Sequence, residues 1–267
     1  MMVHDRIIGK DVEQVDETDV VRIFKKSSPE FDLFYHEERM KKLGMVLWRV
    51  DPEIDPANKM RSITFKDEFG INYPIIYMNN PDIPIEDVFI VAHEIMHCVL
   101  TQEGRSLQIF AKADKFTSAE NGRKFASEFQ TMLEDSAVDS ILQNKYNFDA
   151  LRQYMVGLDL SKKERRVGDP SERGAQIYMA FNITNNILKW QIIKDANSMN
   201  DWCAFLENYK INHPRVSEIS DQILSIIEGV GGLDTVEQKK SVFLKISEKF
   251  NLSGILTISP PDKSMTL

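Results

Sequence analysis

Residues 93–97 read His-Glu-Ile-Met-His. On a helix, residues four apart lie one turn above each other, so His93 and His97 can offer two imidazoles to one tetrahedral zinc ion, Zn2+. Glu94 is then placed to serve as general base toward a water at an open coordination position. Every other residue from Val88 to Leu100 is uncharged, as in a helix sunk into a core, and that setting weighs against an incidental surface pair. A partial echo at His36-Glu37-Glu38-Arg39-Met40 lacks the second histidine and reads as a solvated face.

Two histidines and a water leave one protein ligand to find, and N/O donors on zinc point to a carboxylate or a third histidine. The extended HExxHxxGxxH form is absent, since Leu100 and Glu103 stand where it has Gly and His. The candidate segment is Leu133-Glu134-Asp135-Ser136-Ala137-Val138-Asp139. On a helical wheel of about 100° per residue, Phe125, Phe129, Met132 and Ser136 mark an inward face. Asp135 and Asp139 lie along one edge of it, and Glu134 points well away from that edge. Asp135 is therefore expected as the metal ligand and Asp139 as the acceptor for the N–H of a ligating imidazole. Glu134, with one more methylene of reach, is the alternative ligand.

The elements that must position these groups follow from caps and periodicity. A helix opens at Ser28-Pro29, turns Phe31, Phe34, Met40 and Leu43 to one face, and closes at Gly44. Strands are predicted at Met45 to Val50, Ser62 to Lys66 and Asn72 to Met78, the last resembling the edge strand that HExxH folds set beside the cleft to pair with an extended peptide. The motif helix runs from Ile85 to Gln102. Thr117-Ser118-Ala119-Glu120 reads as a capping box opening a second long helix to about Lys145. Beyond it only helices are predicted, with capping-box candidates at Asp169 to Glu172 and Asp234 to Glu237. Lys162 to Arg166 and Gly229 to Gly232 are linker candidates, and the tail near Pro260-Pro261 is expected to fray. The fold class is a mostly helical α+β protein: a small sheet packed on the motif helix, plus a C-terminal helical region.

Composition bounds the function. The 267 residues carry 33 Lys plus Arg against 41 Asp plus Glu, a net charge of −8, which offers no broad basic footprint for nucleic acid or anionic lipid. Two cysteines outside any CxxC spacing exclude a disulfide scaffold and a thiolate zinc ribbon. The longest apolar run, Val88 to Ala92, is far short of the roughly 20 residues of a membrane span, and the N-terminus has no signal-like apolar stretch. A soluble, cytoplasmic protein is expected, with no membrane or nucleic-acid partner. Cys98 reads as a small buried hydrophobe, and Met132, Met155 and Met179 as core fillers. His213, Tyr154 and Tyr178 are candidates for stabilising an oxyanion.

The chain resembles zincin metallopeptidases of the gluzincin-like kind, in which a HExxH helix is followed by a second helix bearing ligand-x-x-x-Asp. More specifically, Asp135-Ser-Ala-Val-Asp139-Ser-Ile-Leu is similar to the second-helix motif of metallopeptidase domains found beside von Willebrand factor A modules, which usually have Asn where this chain has Asp139. The likeness covers about residues 60–145. It implies a zincin-like metallopeptidase domain over residues 1–150, a helical region over 151–267 that completes the cleft, and hydrolysis of a peptide or protein substrate. The alternative is a catalytically inactive zincin-like module that binds a protein.

Overall fold

The acidic N-terminal stretch builds more sheet than its composition advertises. In the computed structural model, which describes residues 1–54, 59–66, 72–163 and 168–259, it forms β1 (Met2–Asp5) and β2 (Lys10–Val15). Helix α1 (Glu17–Ser27) follows, then α2 (Pro29–Phe34), β3 (Leu47–Val50), β4 (Met60–Lys66) and β5 (Asn72–Met78). Contacts divide the described residues into two units that alternate along the chain, the first within Met1–Arg105 and Ile141–Gln153, the second within Ser106–Ser140 and 154–259.

In the first unit the five strands order β1-β2-β3-β5-β4, antiparallel except for the parallel β3–β5 pair. The expectation of an edge strand at Asn72 to Met78 is thereby corrected. Strand β3 pairs alongside β5, which becomes interior, and Ile75, Ile76, Tyr77 and Met78 are all buried, as befits a strand covered on both faces. The outer strand is β4, and helix α3 (Val88–Gln102) packs on β4 and β5. Charge is built into this sheet. Fully buried Asp5 accepts from the Tyr77 hydroxyl at 2.7 Å and from Arg49 at 2.6 Å, so the carboxylate lost to water regains partners.

Ser28 caps α2 as its sequence suggests, its hydroxyl accepting from the Phe31 N–H. The helix does not continue as a regular α-helix: residues Tyr35–Met40 form a π-helical turn. That extra width rotates the face, so Glu38 and Arg39 turn inward while Met40 is exposed. The solvated reading of this stretch therefore fails at Glu38, which meets Lys42 and Lys145 at 2.6 Å.

The second unit contains β6 (Gln108–Ala111), helix α4 (Ala119–Tyr146) up to Ser140, helices α5 (Leu151–Lys163), α6 (Arg173–Trp190), α7 (Ala196–Asn212), α8 (Pro214–Val230) and α9 (Val236–Lys249), and β7 (Leu256–Ser259), antiparallel to β6. Ser118, not Thr117, accepts from the first turn of α4, through the Asn121 N–H. A Cβ at Gly122 would be tight, 3.0 Å from the Ala111 Cβ and 3.1 Å from the Phe116 ring. Phe129 stacks between Phe181 at 4.4 Å and Phe243 at 5.3 Å, joining α4, α6 and α9. Asp169 does not cap its own helix; its carboxylate accepts from Arg215 and Val216 N–H at the start of α8. The box at 234–237 centres on Thr235 and Gln238. Residues 164–166 of the basic linker candidate, and the tail at Pro260-Pro261, lie outside the described residues. Among the described residues no helix is long and apolar enough to cross a membrane. The architecture is the mostly helical α+β fold expected.

Candidate metal centre

Helix α3 sorts its residues sharply. Phe89, Ile90, Val91, Ala92, Ile95, Met96, Cys98, Val99 and Leu100 are buried, whereas His93, Glu94 and His97 are half-buried. The apolar majority thus anchors the helix, and the motif side chains occupy its accessible stripe. The two Nε2 atoms lie 3.0 Å apart, with the rings nearly perpendicular at 76°. Zn–N bonds of 2.0–2.1 Å in a tetrahedron imply a nitrogen–nitrogen edge of about 3.3 Å, so the imidazole pair fits one zinc ion with little adjustment. One turn earlier the Phe89 ring lies 6.2 Å from that of His93. Phe89 and Phe148 line a cavity of about 200 Å³ whose other walls include Glu86, Asp149 and Arg152. Cys98 is the buried hydrophobe expected; burial, then the charge of Glu94, pushes its thiol pKa well up.

In the second unit, Glu134, Asp135 and Asp139 are all buried, not a solvated acidic stripe. Their partners differ. Glu134 accepts from the Ser106 hydroxyl at 2.6 Å and the Leu107 N–H at 2.6 Å, which commits its carboxylate to the segment entering β6. Asp135 accepts through Oδ2 from Asn185 Nδ2 and Lys189 Nζ, each at 3.2 Å. Asp139 accepts a short hydrogen bond from the Tyr154 hydroxyl and lies 3.7 Å from Lys189 Nζ. Burial disfavours the Lys189 ammonium, but Asp135 and Asp139 outweigh it and hold its pKa above the ordinary lysine value. Burial, then Asp139, pushes the Tyr154 pKa far up, so its proton stays on the phenol.

The structure thus brings His93 and His97 together on α3, and gathers Asp135 and Asp139 with α5 and α6 side chains. The remaining candidates have other partners. The Tyr154 hydroxyl, considered for an oxyanion, is committed to Asp139. Tyr178 pairs with Glu128, and burial followed by that carboxylate pushes its pKa up to about 12. His213 stands between α7 and α8 with its ring 4.6 Å from that of Tyr209.

Sequence reasoning missed Asn185 and Lys189. Their own i, i+4 spacing, equal to that of Asp135 and Asp139, is the one trace they leave in the sequence. Compared with protein-family models, with curated proteins and with solved structures, the chain matches none.

Proposed function

We propose that the protein is a zinc-dependent metallopeptidase. The observation that carries this reading is the 3.0 Å approach of the His93 and His97 Nε2 atoms on one helix, with Glu94 on the same accessible stripe. In this reading His93, His97 and Asp135 hold the ion. Glu134 is the weaker choice because its oxygens are occupied by Ser106 and Leu107. Bound zinc supplies Lewis-acid activation of a water and of the scissile carbonyl.

Glu94 takes the proton of the attacking water and delivers it to the leaving amine nitrogen, so one carboxylate acts as base and then as acid. The outer strand β4, beside α3, offers backbone groups to an extended substrate. The Phe89–Phe148 cavity lies beside the His93 end of the motif. Both cysteines are free, Cys98 buried and Cys203 exposed, in keeping with a reducing, cytoplasmic setting.

The test is Glu94→Gln, which removes the base and leaves both imidazoles. Purified wild type is expected to carry about one zinc per chain by elemental analysis and to cleave members of a peptide library. Glu94→Gln is expected to keep the zinc, lose cleavage by about 100-fold or more, and retain uncut substrate. A variant as active as wild type removes Glu94 from the mechanism. Stoichiometric zinc in a wild type that cleaves nothing replaces the enzyme by a zincin-like binding module.

A further inference from the structure

Helices α4, α5 and α6 converge on two buried carboxylates. Asp135 and Asp139, one turn apart on α4, are 7% and 0% exposed. Two buried anions at that spacing repel each other, and in a low-dielectric setting the repulsion is large unless a cation lies between them. Lys189 supplies it. Its ammonium reaches Oδ2 of Asp135 at 3.2 Å and Oδ2 of Asp139 at 3.7 Å, with its side chain 20% exposed and its Nζ 5.5 Å from the centre of the Tyr154 ring. Asn185, one turn before it on α6, donates to the same Asp135 oxygen at 3.2 Å.

We propose that Lys189 is a positioning residue of the metal centre: bridging Asp135 and Asp139, it fixes the orientation in which the Asp135 carboxylate meets the ion. This inference rests on the reading of Asp135 as the third ligand. Two donors converging on Oδ2 set both the rotamer and the plane of the carboxylate, and a ligand held in advance loses less freedom when it binds the ion. The ammonium also offsets one of the two negative charges without ligating anything itself, since Lys has donors only. Helices α5 and α6 thereby act on the metal through Asp135 and Asp139, a role that the sequence left unassigned.

The experiment measures zinc affinity by chelator competition, and the visible spectrum of the cobalt(II)-substituted protein, in Lys189→Met, Lys189→Arg and Asp135→Ala. Lys189→Met is expected to weaken zinc by about 10- to 100-fold and to shift the cobalt bands, with Lys189→Arg recovering most of the loss. Should Lys189→Met not fold, Lys189→Gln carries the test, because it keeps a donor toward Asp135 and removes the charge. A folded Lys189 variant with a lowered melting temperature but unchanged zinc affinity and cobalt spectrum overturns the proposal, since the lysine then serves stability alone. Tighter zinc binding also overturns it, because the ammonium then opposes the metal. If Asp135→Ala leaves zinc affinity unchanged, the third-ligand reading falls and takes this inference with it. If Asp135→Ala weakens zinc and Lys189→Met does not, only this inference falls.

Discussion

Helix α3 holds its two histidines by apolar packing, whereas α4 holds its carboxylates by polar partners recruited from other helices. Around His93 and His97 the helix is pinned by Phe89, Val91, Ile95, Met96 and Val99, all buried, and the imidazole geometry follows from the i, i+4 spacing of one rigid element. Around Asp135 and Asp139 the donors include Asn185, Lys189 and Tyr154, drawn from α6 and α5. The difference has a physical origin. Neutral imidazoles tolerate an apolar neighbourhood, but a buried carboxylate without partners carries a desolvation cost of several kcal/mol. One region is therefore robust to change around it, and the other fails through its neighbours.

The sharpest break is expected at His97→Ala. Half-buried His97 contributes little to the core, so zinc content should fall from about one per chain to none while the melting temperature changes little; a variant that retains its zinc would remove the imidazole pair from the centre.

Next in size are adjacent positions on α4. Asp135→Ala is expected to lower zinc affinity by more than about 100-fold. Glu134→Ala should leave affinity within a few-fold and destabilise the fold by about 2–3 kcal/mol, because Ser106 and Leu107 lose a buried acceptor. Chemical denaturation and chelator competition on the two variants separate these effects, and a reversed order would make Glu134 the ligand.

Tyr154→Phe tests the polar support more gently. Loss of the hydroxyl donated to Asp139 should cost about 1–3 kcal/mol and weaken zinc by about 10-fold; unchanged affinity would mean that α5 holds Asp139 for stability only.

The smallest effect on zinc belongs to the first unit, where the change is read in acid stability. Burial raises the Glu38 pKa, but hydrogen bonds from Lys145, Lys42 and Tyr146 outweigh it and bring it down to about 2 from an ordinary 4.5. A depressed carboxyl pKa contributes stability that is present above the ordinary value and lost as pH falls toward the folded one. Stability should therefore decline between about pH 4.5 and 2, and Glu38→Gln should flatten that decline in acid denaturation followed by circular dichroism. An unaltered slope would remove Glu38 as its source.

What was legible in the sequence was local. The motif helix announces itself because its spacing and apolar flanks are read within fifteen residues, and Asn72–Met78 because Tyr73, Ile75, Ile76 and Tyr77 are β-formers. Strands β1 and β2 stayed hidden: their buried positions include Asp5, a charge, and the one apolar residue Val12, so no alternation marks them. The edge position of β4 depends on the parallel pairing of β3 with β5, which no local pattern encodes. The π-helical turn reversed the faces of Glu38 and Met40, since a wheel at regular helical spacing misplaces residues within the wider turn, whereas Leu43 beyond it is buried as the wheel has it. At the centre, the histidines were readable as a motif, but Lys189 looks like any helical lysine until the fold sets it against Asp135 and Asp139.

The pairing of β6 with β7 bears on how the chain assembles during synthesis. Gln108 pairs with Ser259 and Ala111 with Leu256, so β6 leaves the ribosome long before the strand that completes its ladder. The first unit needs nothing later than Gln153 among the described residues and can close early, whereas the second keeps a bare strand edge through translation of α5 to α9. Contacts so distant in sequence form slowly, and an open edge invites pairing with another chain. A nascent chain halted before Leu256 should therefore be the species most dependent on chaperones, with its first unit already folded and its second open along β6.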